Sequence, residues 1–387
     1  MTLVAVTGIG VVSGFGLGVV PFWEGLTAGR SALQPVERYA ALGAPLVGVV
    51  PGLEVRAFAA SAAARRIDRT SLLALAACQL ALADAGALPL GVARDGVGLS
   101  LGSSLGNLSE TTQFLDRLFA RGAGNPLLFP NLVMNAALSY ASIELGVTGP
   151  TALVCERDAS GEAAIQWGAQ WVADGRVAMC LAGAADELDG IIVEILRDAR
   201  GLCGGAPRPF DRRAGGVAPG EGAAVLVLEP LPAARARGAR VYGIVVPHVG
   251  VNVPAPVHGW PRDPAALGRA LEPVLRDADV VVVAADGSSQ DGIEAAVLGA
   301  VAAHVPLTAP RGAIGAFGAA GALGVAAAAL AVHHGCVPPT LGCQDPVRPA
   351  LRIVRPRAIA APVRVAVAHG LARGGVCRPV RVEVAPA

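Results

Sequence analysis

The 387-residue chain reads as an α/β protein of two similarly ordered halves. Three observations predict that class. Short apolar runs alternate with segments whose apolar residues recur at helical spacing. A strand, corner and helix over residues 151–172 leads to a strand at 177–181, and a helix, strand, turn and helix follow one another over 264–303. Hydrophobic residues make up 53% of the chain but aromatics only 4%, so Ala, Val and Leu must fill the core and helices can approach closely.

The remaining composition excludes several classes of function. Lys plus Arg number 31 against 30 Asp plus Glu, a net charge of +1, which argues against a protein organised around nucleic acid. The seven cysteines form no CxxC pair and are odd in number, so neither a zinc ribbon nor a full disulfide framework is indicated. Met1 leads straight into the strand-like Leu3–Thr7 without the features of a signal peptide, and a cytoplasmic location is expected. The span-like stretch Ile314 to Val332 is mainly Ala and Gly and reads as a buried helix, so no membrane segment is expected. No HxxxH pattern points to a metal.

Taken in order, the opening strand meets Gly8-Ile-Gly10, which lacks the full GxGxxG pattern and reads as a tight turn. Phe22 to Leu26 begins a short amphipathic element, and 31–56 is mostly loop. A helix is expected from Arg69 to Asp84, buried on most sides, and a strand from Val97 to Leu101. The helix Leu108 to Phe119 gathers Phe114, Leu115, Leu118 and Phe119 into a stripe suited to core, to a partner interface or to the wall of a substrate tunnel. Phe129 opens another helix ending near Gly146. Later strands fall at 223–228, 280–285, 351–354 and 363–367, and helices at 264–275 and 292–303. The charged stretch Arg65 to Arg69 reads as a solvated face that could also dock an acidic carrier protein.

The stretch Thr151 to Ile165 is the pivot. Ala152 to Cys155 suits a strand covered on both faces, and Asp158 stands at the corner before the next helix. There it can cap the helix by accepting the N–H of Ser160 or Gly161, or serve in a site at the helix N-terminus.

Several motifs, weak singly and specific in order, converge on one family. They are Val6-Thr-Gly-Ile-Gly10, Phe129-Pro-Asn-Leu-Val-Met-Asn135, Gly149-Pro150, Asp158-Ala-Ser-Gly161, Leu181-Ala-Gly183, Arg208-Pro-Phe-Asp211, Gly220-Glu-Gly222 and Leu226-Val-Leu-Glu229. On these residues the sequence resembles the β-ketoacyl synthases, the condensing enzymes of fatty-acid and type II polyketide assembly, across nearly its whole length. The resemblance implies a thiolase-like fold with layers α-β-α-β-α. Its two similar halves would be residues 1–240, carrying interface and tunnel insertions, and 241–387.

Active members use a cysteine nucleophile and two histidines. The cysteine position falls on Asp158, the first histidine on Asp286 and the second on Gly315, with Arg311 near the place of the family lysine. Condensation needs a thiolate to carry the acyl chain and imidazole donors to stabilise an enolate. A carboxylate at the helix start is a weak nucleophile, and Asp286 is an acceptor where a donor is required. No catalytic residue is therefore expected. The glycine-rich gate becomes Ala372-Arg-Gly-Gly-Val-Cys377, placing Arg373 at the aromatic gate position, where it is expected to compensate the two aspartates.

By resemblance the chain looks like a chain-length factor, the silent ketosynthase-like subunit of type II polyketide synthases. That implies a heterodimer with an active ketosynthase homologue. It also implies an acyl carrier protein that supplies a phosphopantetheine-linked acyl chain to the complex, with no cofactor bound directly. Phe114, Leu115, Leu118, Phe119 and Met134 are then the tunnel or interface residues. Two alternatives stay open: a standalone decarboxylase or hydrolase using Asp158 and Asp286, and a non-catalytic carrier-protein scaffold.

Overall fold

In the computed structural model the described residues are 2–59, 66–87, 94–248, 250–261 and 263–386. The first half runs β1 (Val4–Ser13), α1 (Arg69–Asp84), β2 (Val97–Gly102), α2 (Leu108–Arg121), α3 (Ala136–Leu145), β3 (Thr151–Val154), α4 (Ser160–Ala173), β4 (Met179–Asp186) and β5 (Gly222–Pro230). The second runs β6 (Gly243–Val246), α5 (Pro264–Leu275), β7 (Val280–Val282), α6 (Gln290–Val301), β8 (Leu307–Thr308), α7 (Ala320–His334), β9 (Val365–Ala372) and β10 (Val376–Glu383).

The same pairing scheme occurs twice. Antiparallel pairs β1·β5 and β5·β4 continue into parallel pairs β4·β2 and β2·β3. Likewise β6·β10 and β10·β9 are antiparallel, while β9·β7 and β7·β8 are parallel. The two sets join where Val4–Val6 of β1 pairs with Gly243–Val245 of β6. Buried side chains fall into three main clusters. One lies between α1 and the first set, one lies around α4 and α7 between the sets, and one lies between α5, α6 and the second set. This is the thiolase-like α-β-α-β-α arrangement.

Small residues make the middle layer possible. In α7 every residue from Ala320 to Val332 except Gly324 is buried, and the helix touches strands of both sets. Such a helix has no polar face to turn to water, so it is stable only when enclosed. At the outer layer, α1 starts on Asp68, whose carboxylate accepts the Ser71 N–H at 2.8 Å.

Several expectations are corrected. Gly8-Ile-Gly10 is no turn: β1 passes through it with a register shift between Val6 and Gly8. These glycines admit α1, since a Cβ at Gly10 would lie 2.0 Å from the Ala77 carbonyl oxygen. β3 is an edge strand, half exposed rather than covered on both faces, because the parallel order leaves it a neighbour on one side only. The helix expected from Phe129 is split. A 3-10 turn Phe129–Asn131 is held apart from α3 by Asn131, which donates to the Arg66 carbonyl at 2.7 Å.

The small-residue helix begins at Ala320 rather than Ile314, because Gly315 at φ 96° breaks the path. Residues 351–354 contribute one isolated bridge, Ile353 to Leu307, rather than a strand. Of the charged stretch 65–69, Arg65 lies outside the described residues, and Arg69 is not a free surface charge but pairs with buried Glu221 at 2.6 Å. Among the described residues no helix is long and apolar enough to cross a membrane.

Gly10→Ala must push β1 from α1 against backbone atoms and should cost about 3 kcal/mol or more, whereas Gly204→Ala, with nothing within 4 Å, should be nearly neutral. Chemical unfolding of both variants measures this. Equal stabilities would refute the close-packing account of the glycine pair.

Candidate functional site

The corner after β3 is a single 3-10 turn, Arg157–Ala159, that leads into α4. Asp158 is not the expected helix cap. The cap residue is Ala159 with no side-chain bond, and Ser160 does the local work: its hydroxyl accepts the Glu156 N–H at 2.9 Å and donates to the Arg157 carbonyl at 2.6 Å. Arg157 adopts φ 55°, a costly conformation for a side-chain-bearing residue. Its guanidinium donates to the carbonyls of Val257 and Arg373, fastening the corner to the second half of the chain.

Asp286 lies across from this corner, after β7, and is 8% exposed. Its carboxylate accepts the Ser288 N–H at 2.9 Å, while its own N–H donates to Asp291 at 3.0 Å. Burial pushes the Asp286 carboxyl above its ordinary range; Arg311 and Ser288 oppose that, and the charge of Asp158 adds to it. Asp291 is pushed up to about 8 by burial and by Asp286.

The compensating cation is Arg311, not Arg373. Arg311 is 4% exposed and donates to the Asp158 carbonyl at 3.4 Å. Its charge acts on both Asp286 and Glu162. Arg373 is exposed, forms no ion pair with Asp158 or Asp286, and lies 5.9 Å from the Trp260 ring centroid. It lines an open cavity of about 430 Å³ with Arg157, Arg378, Glu156 and Cys155, and neither aspartate is part of that lining. Arg373, expected at the gate, thus faces a tryptophan ring that attracts a guanidinium.

Gly315, where the second histidine is expected by resemblance, has φ 96°, and a Cβ there would sit 3.0 Å from the Cα of Gly220. The backbone is therefore shaped for a glycine, and an imidazole does not fit without moving it.

Behind the corner lies a set of buried groups that sequence spacing does not bring together. Glu162 on α4 is pressed against Gly321 of α7 and Gly370 of β9, and burial pushes its carboxyl up to about 7 against the pull of Arg311. His369 Nδ1 and Glu294 Oε1 lie 2.7 Å apart, both fully buried. Burial disfavours an imidazolium at His369, yet Cys377 and Glu294 outweigh it and hold the ring well above its ordinary pKa. The sequence signal was slight: two glutamates and a histidine among small apolar residues. This arrangement offers carboxyl acceptors near the corner and, behind it, a His369–Glu294 ion pair whose other ring nitrogen, His369 Nε2, has no hydrogen-bond partner among the described residues. Among the described residues no group of His, Cys, Asp and Glu is placed to hold a metal ion.

The apolar stripe of α2 is not core of this chain. No residue of α2 is buried; Leu115 is 40% and Phe119 81% exposed, with Phe114 and Leu118 half-buried. Phe114 packs edge-on to Phe129 with centroids 6.4 Å apart, and Met134 packs on Gly106. Leu105, Leu127, Phe129 and Val133 extend the exposed face. These four are not among the residues singled out from the sequence as tunnel or interface, since none belongs to the helical stripe that draws attention to α2.

The comparisons follow this geometry. Residues 1–234 match the model of the β-ketoacyl synthase N-terminal domain and residues 245–344 that of the C-terminal domain. The tetracenomycin polyketide synthase ketoacyl synthase alpha subunit of Streptomyces glaucescens is 32% identical over 379 residues, covering 89% of this chain and 88% of that protein. The beta subunit of the same synthase is 31% identical over 395 residues, covering 95% of each. A chain of the solved structure described as the ishigamide ketosynthase/chain length factor superposes with a TM-score of 0.93 at 26% identity, covering 100% of both chains.

A raised carboxyl pKa in the fold means that stability is lost as pH climbs from the unfolded value, 4.5 for Glu162, through about 7. That interval corresponds to about 3 kcal/mol. Glu162→Gln, neutral throughout, should gain about that much on the parent between pH 4.5 and 8 in urea unfolding. A pH-independent difference would show that Glu162 is not buried as a costly charge.

Proposed function

The chain belongs to the β-ketoacyl synthase family, and on that premise we propose that it is a non-condensing chain-length factor of a type II polyketide synthase. It pairs with an active ketosynthase, stabilises it and shapes the acyl tunnel that limits product length. The observation that carries this reading is the triple substitution at the condensing positions. Asp158 and Asp286 are carboxylates where a thiolate and a donor are needed, and Gly315 sits where the backbone has closed on Gly220. Overall identity does not separate the possibilities, because named alpha and beta subunits are equally similar to this chain. The residues at the site favour the non-condensing reading.

The apolar face of α2 and the segment after it support the pairing. Leu105, Leu115, Phe119, Leu127, Phe129 and Val133 expose more large apolar surface than a lone soluble chain gains from, and β3 is an open edge. In the heterodimer Phe114, Leu115, Leu118, Phe119 and Met134 face the partner and the growing acyl chain. An acyl carrier protein delivers that chain on phosphopantetheine to the partner's cysteine, and this subunit needs no cofactor of its own. Arg373 replaces the aromatic gate, and residues 1–240 and 241–387 act as the two halves of one rigid body.

Co-expression with a homologue that keeps Cys, His and His should give a stable complex, and mass analysis of carrier-bound products should reveal a defined length. Bulk at a closed cavity end opposes extension by about 1 to 3 kcal/mol, so Phe114→Ala or Phe119→Ala should shift products toward longer chains. An intact, active complex with unchanged products from both variants counts against the tunnel assignment. Turnover by the lone chain that disappears in Asp158→Asn would establish a standalone carboxylate enzyme instead.

A further inference from the structure

The start of the α2 segment is held by a set of carboxylates at the end of β4. Asp186 is 1% exposed, and it accepts the Ser103 hydroxyl at 2.6 Å, the Ser104 N–H at 3.0 Å and the Leu105 N–H at 3.3 Å. The Ser103 hydroxyl oxygen in turn accepts the Gly106 N–H at 2.9 Å. Glu187, 5% exposed, accepts the Ser109 N–H at 2.8 Å, and Asp189 accepts the Ser109 hydroxyl at 2.9 Å. A Cβ at Gly318, just before α7, would lie 2.6 Å from Asp186 Oδ2, so this carboxylate also sits against the start of the buried central helix. Donors of one short segment, 103–109, thus converge on the end of β4 and the residues just after it.

Other polar ties at this end are fewer among the described residues: Thr70 donates to the Gly106 carbonyl at 3.2 Å and Asn107 to the Asn131 carbonyl at 2.7 Å, and none of the residues of α2 itself is buried. A helix whose flank is unpacked takes its position from its first turn, where unpaired N–H groups seek acceptors. We infer that Asp186 and Glu187 are positioning residues that set where α2 stands on the core and so, on the tunnel reading above, how long a chain the partner's cavity admits. Asp186 links that position to the central layer through α7. Glu187 fixes the first turn, and Asp189 supports it while its other oxygen caps the helix 190–198.

The test uses the full chain, alone and in its complex. Glu187→Ala should raise amide exchange of residues 105–121 at least tenfold while leaving amides of α4 and β4 unchanged, and Glu187→Gln, which keeps an acceptor, should restore protection. The same alanine variant should broaden or shift product length, and the glutamine variant should return it. Because Asp186→Ala removes a buried anchor and can unfold the chain, Asp186→Asn serves as the second variant, with a smaller rise expected over the same amides. Unchanged α2 exchange in Glu187→Ala overturns the inference. Increased exchange with unchanged products from an active complex sustains the anchoring and instead overturns the tunnel reading on which the length effect rests.

Discussion

Arg311 is the one buried arginine among the described residues, and the junction between the two halves depends on it. Glu162 comes from the first half and Asp286 from the second, and both are costly charges in a site with little water. Arg311, on the short turn before Gly315, lowers that cost for both and bonds the corner that holds Asp158.

The middle layer explains why such a set can exist. α7 is built almost wholly from Ala, Gly, Val and Leu, so α4 and strands of both sets come close enough for Glu162 to touch Gly321 and Gly370. Bulkier residues would separate the layers. Close approach, however, removes water, and every polar group admitted there must find a partner inside the protein. His369 pairs with Glu294, Asp291 accepts three backbone N–H groups and Arg311 donates to the Asp158 carbonyl, while one carboxylate oxygen each of Glu162 and Glu294 and the Nε2 of His369 lack a partner among the described residues.

What was legible in the sequence was the order of things. Motif order gave the two βα-rich halves and the corner at Asp158, because each is encoded by neighbours within a few residues. Contacts across the fold were not legible in the same way. Gly8-Ile-Gly10 looked like a turn because glycine serves both for turns and for close approach, and only α1 packing decides between them. Ala152 to Cys155 looked enclosed because an apolar run cannot report which strand lies at the edge. Arg373 was favoured over Arg311 because it occupies a recognisable loop, whereas burial, which makes a guanidinium effective, depends on elements far away in the chain.

On the proposed chain-length role, the site does not have to present a reactive thiolate or hold imidazoles at a substrate carbonyl. A Cβ at Gly315 would lie 3.0 Å from the Cα of Gly220, and Arg373 faces Trp260. The architecture around the site is closely tied all the same: Arg157 sits at φ 55°, Asp291 accepts the Phe210 N–H, and α4 starts beside the corner. Strain of 1–3 kcal/mol at Arg157 persists only where the surroundings over-determine it. The packing supplies that over-determination, since the corner joins β3 to α4 and the Arg157 guanidinium bonds to the second half. On the proposed pairing, a partner subunit along the β3 edge needs that geometry whether or not the corner reacts.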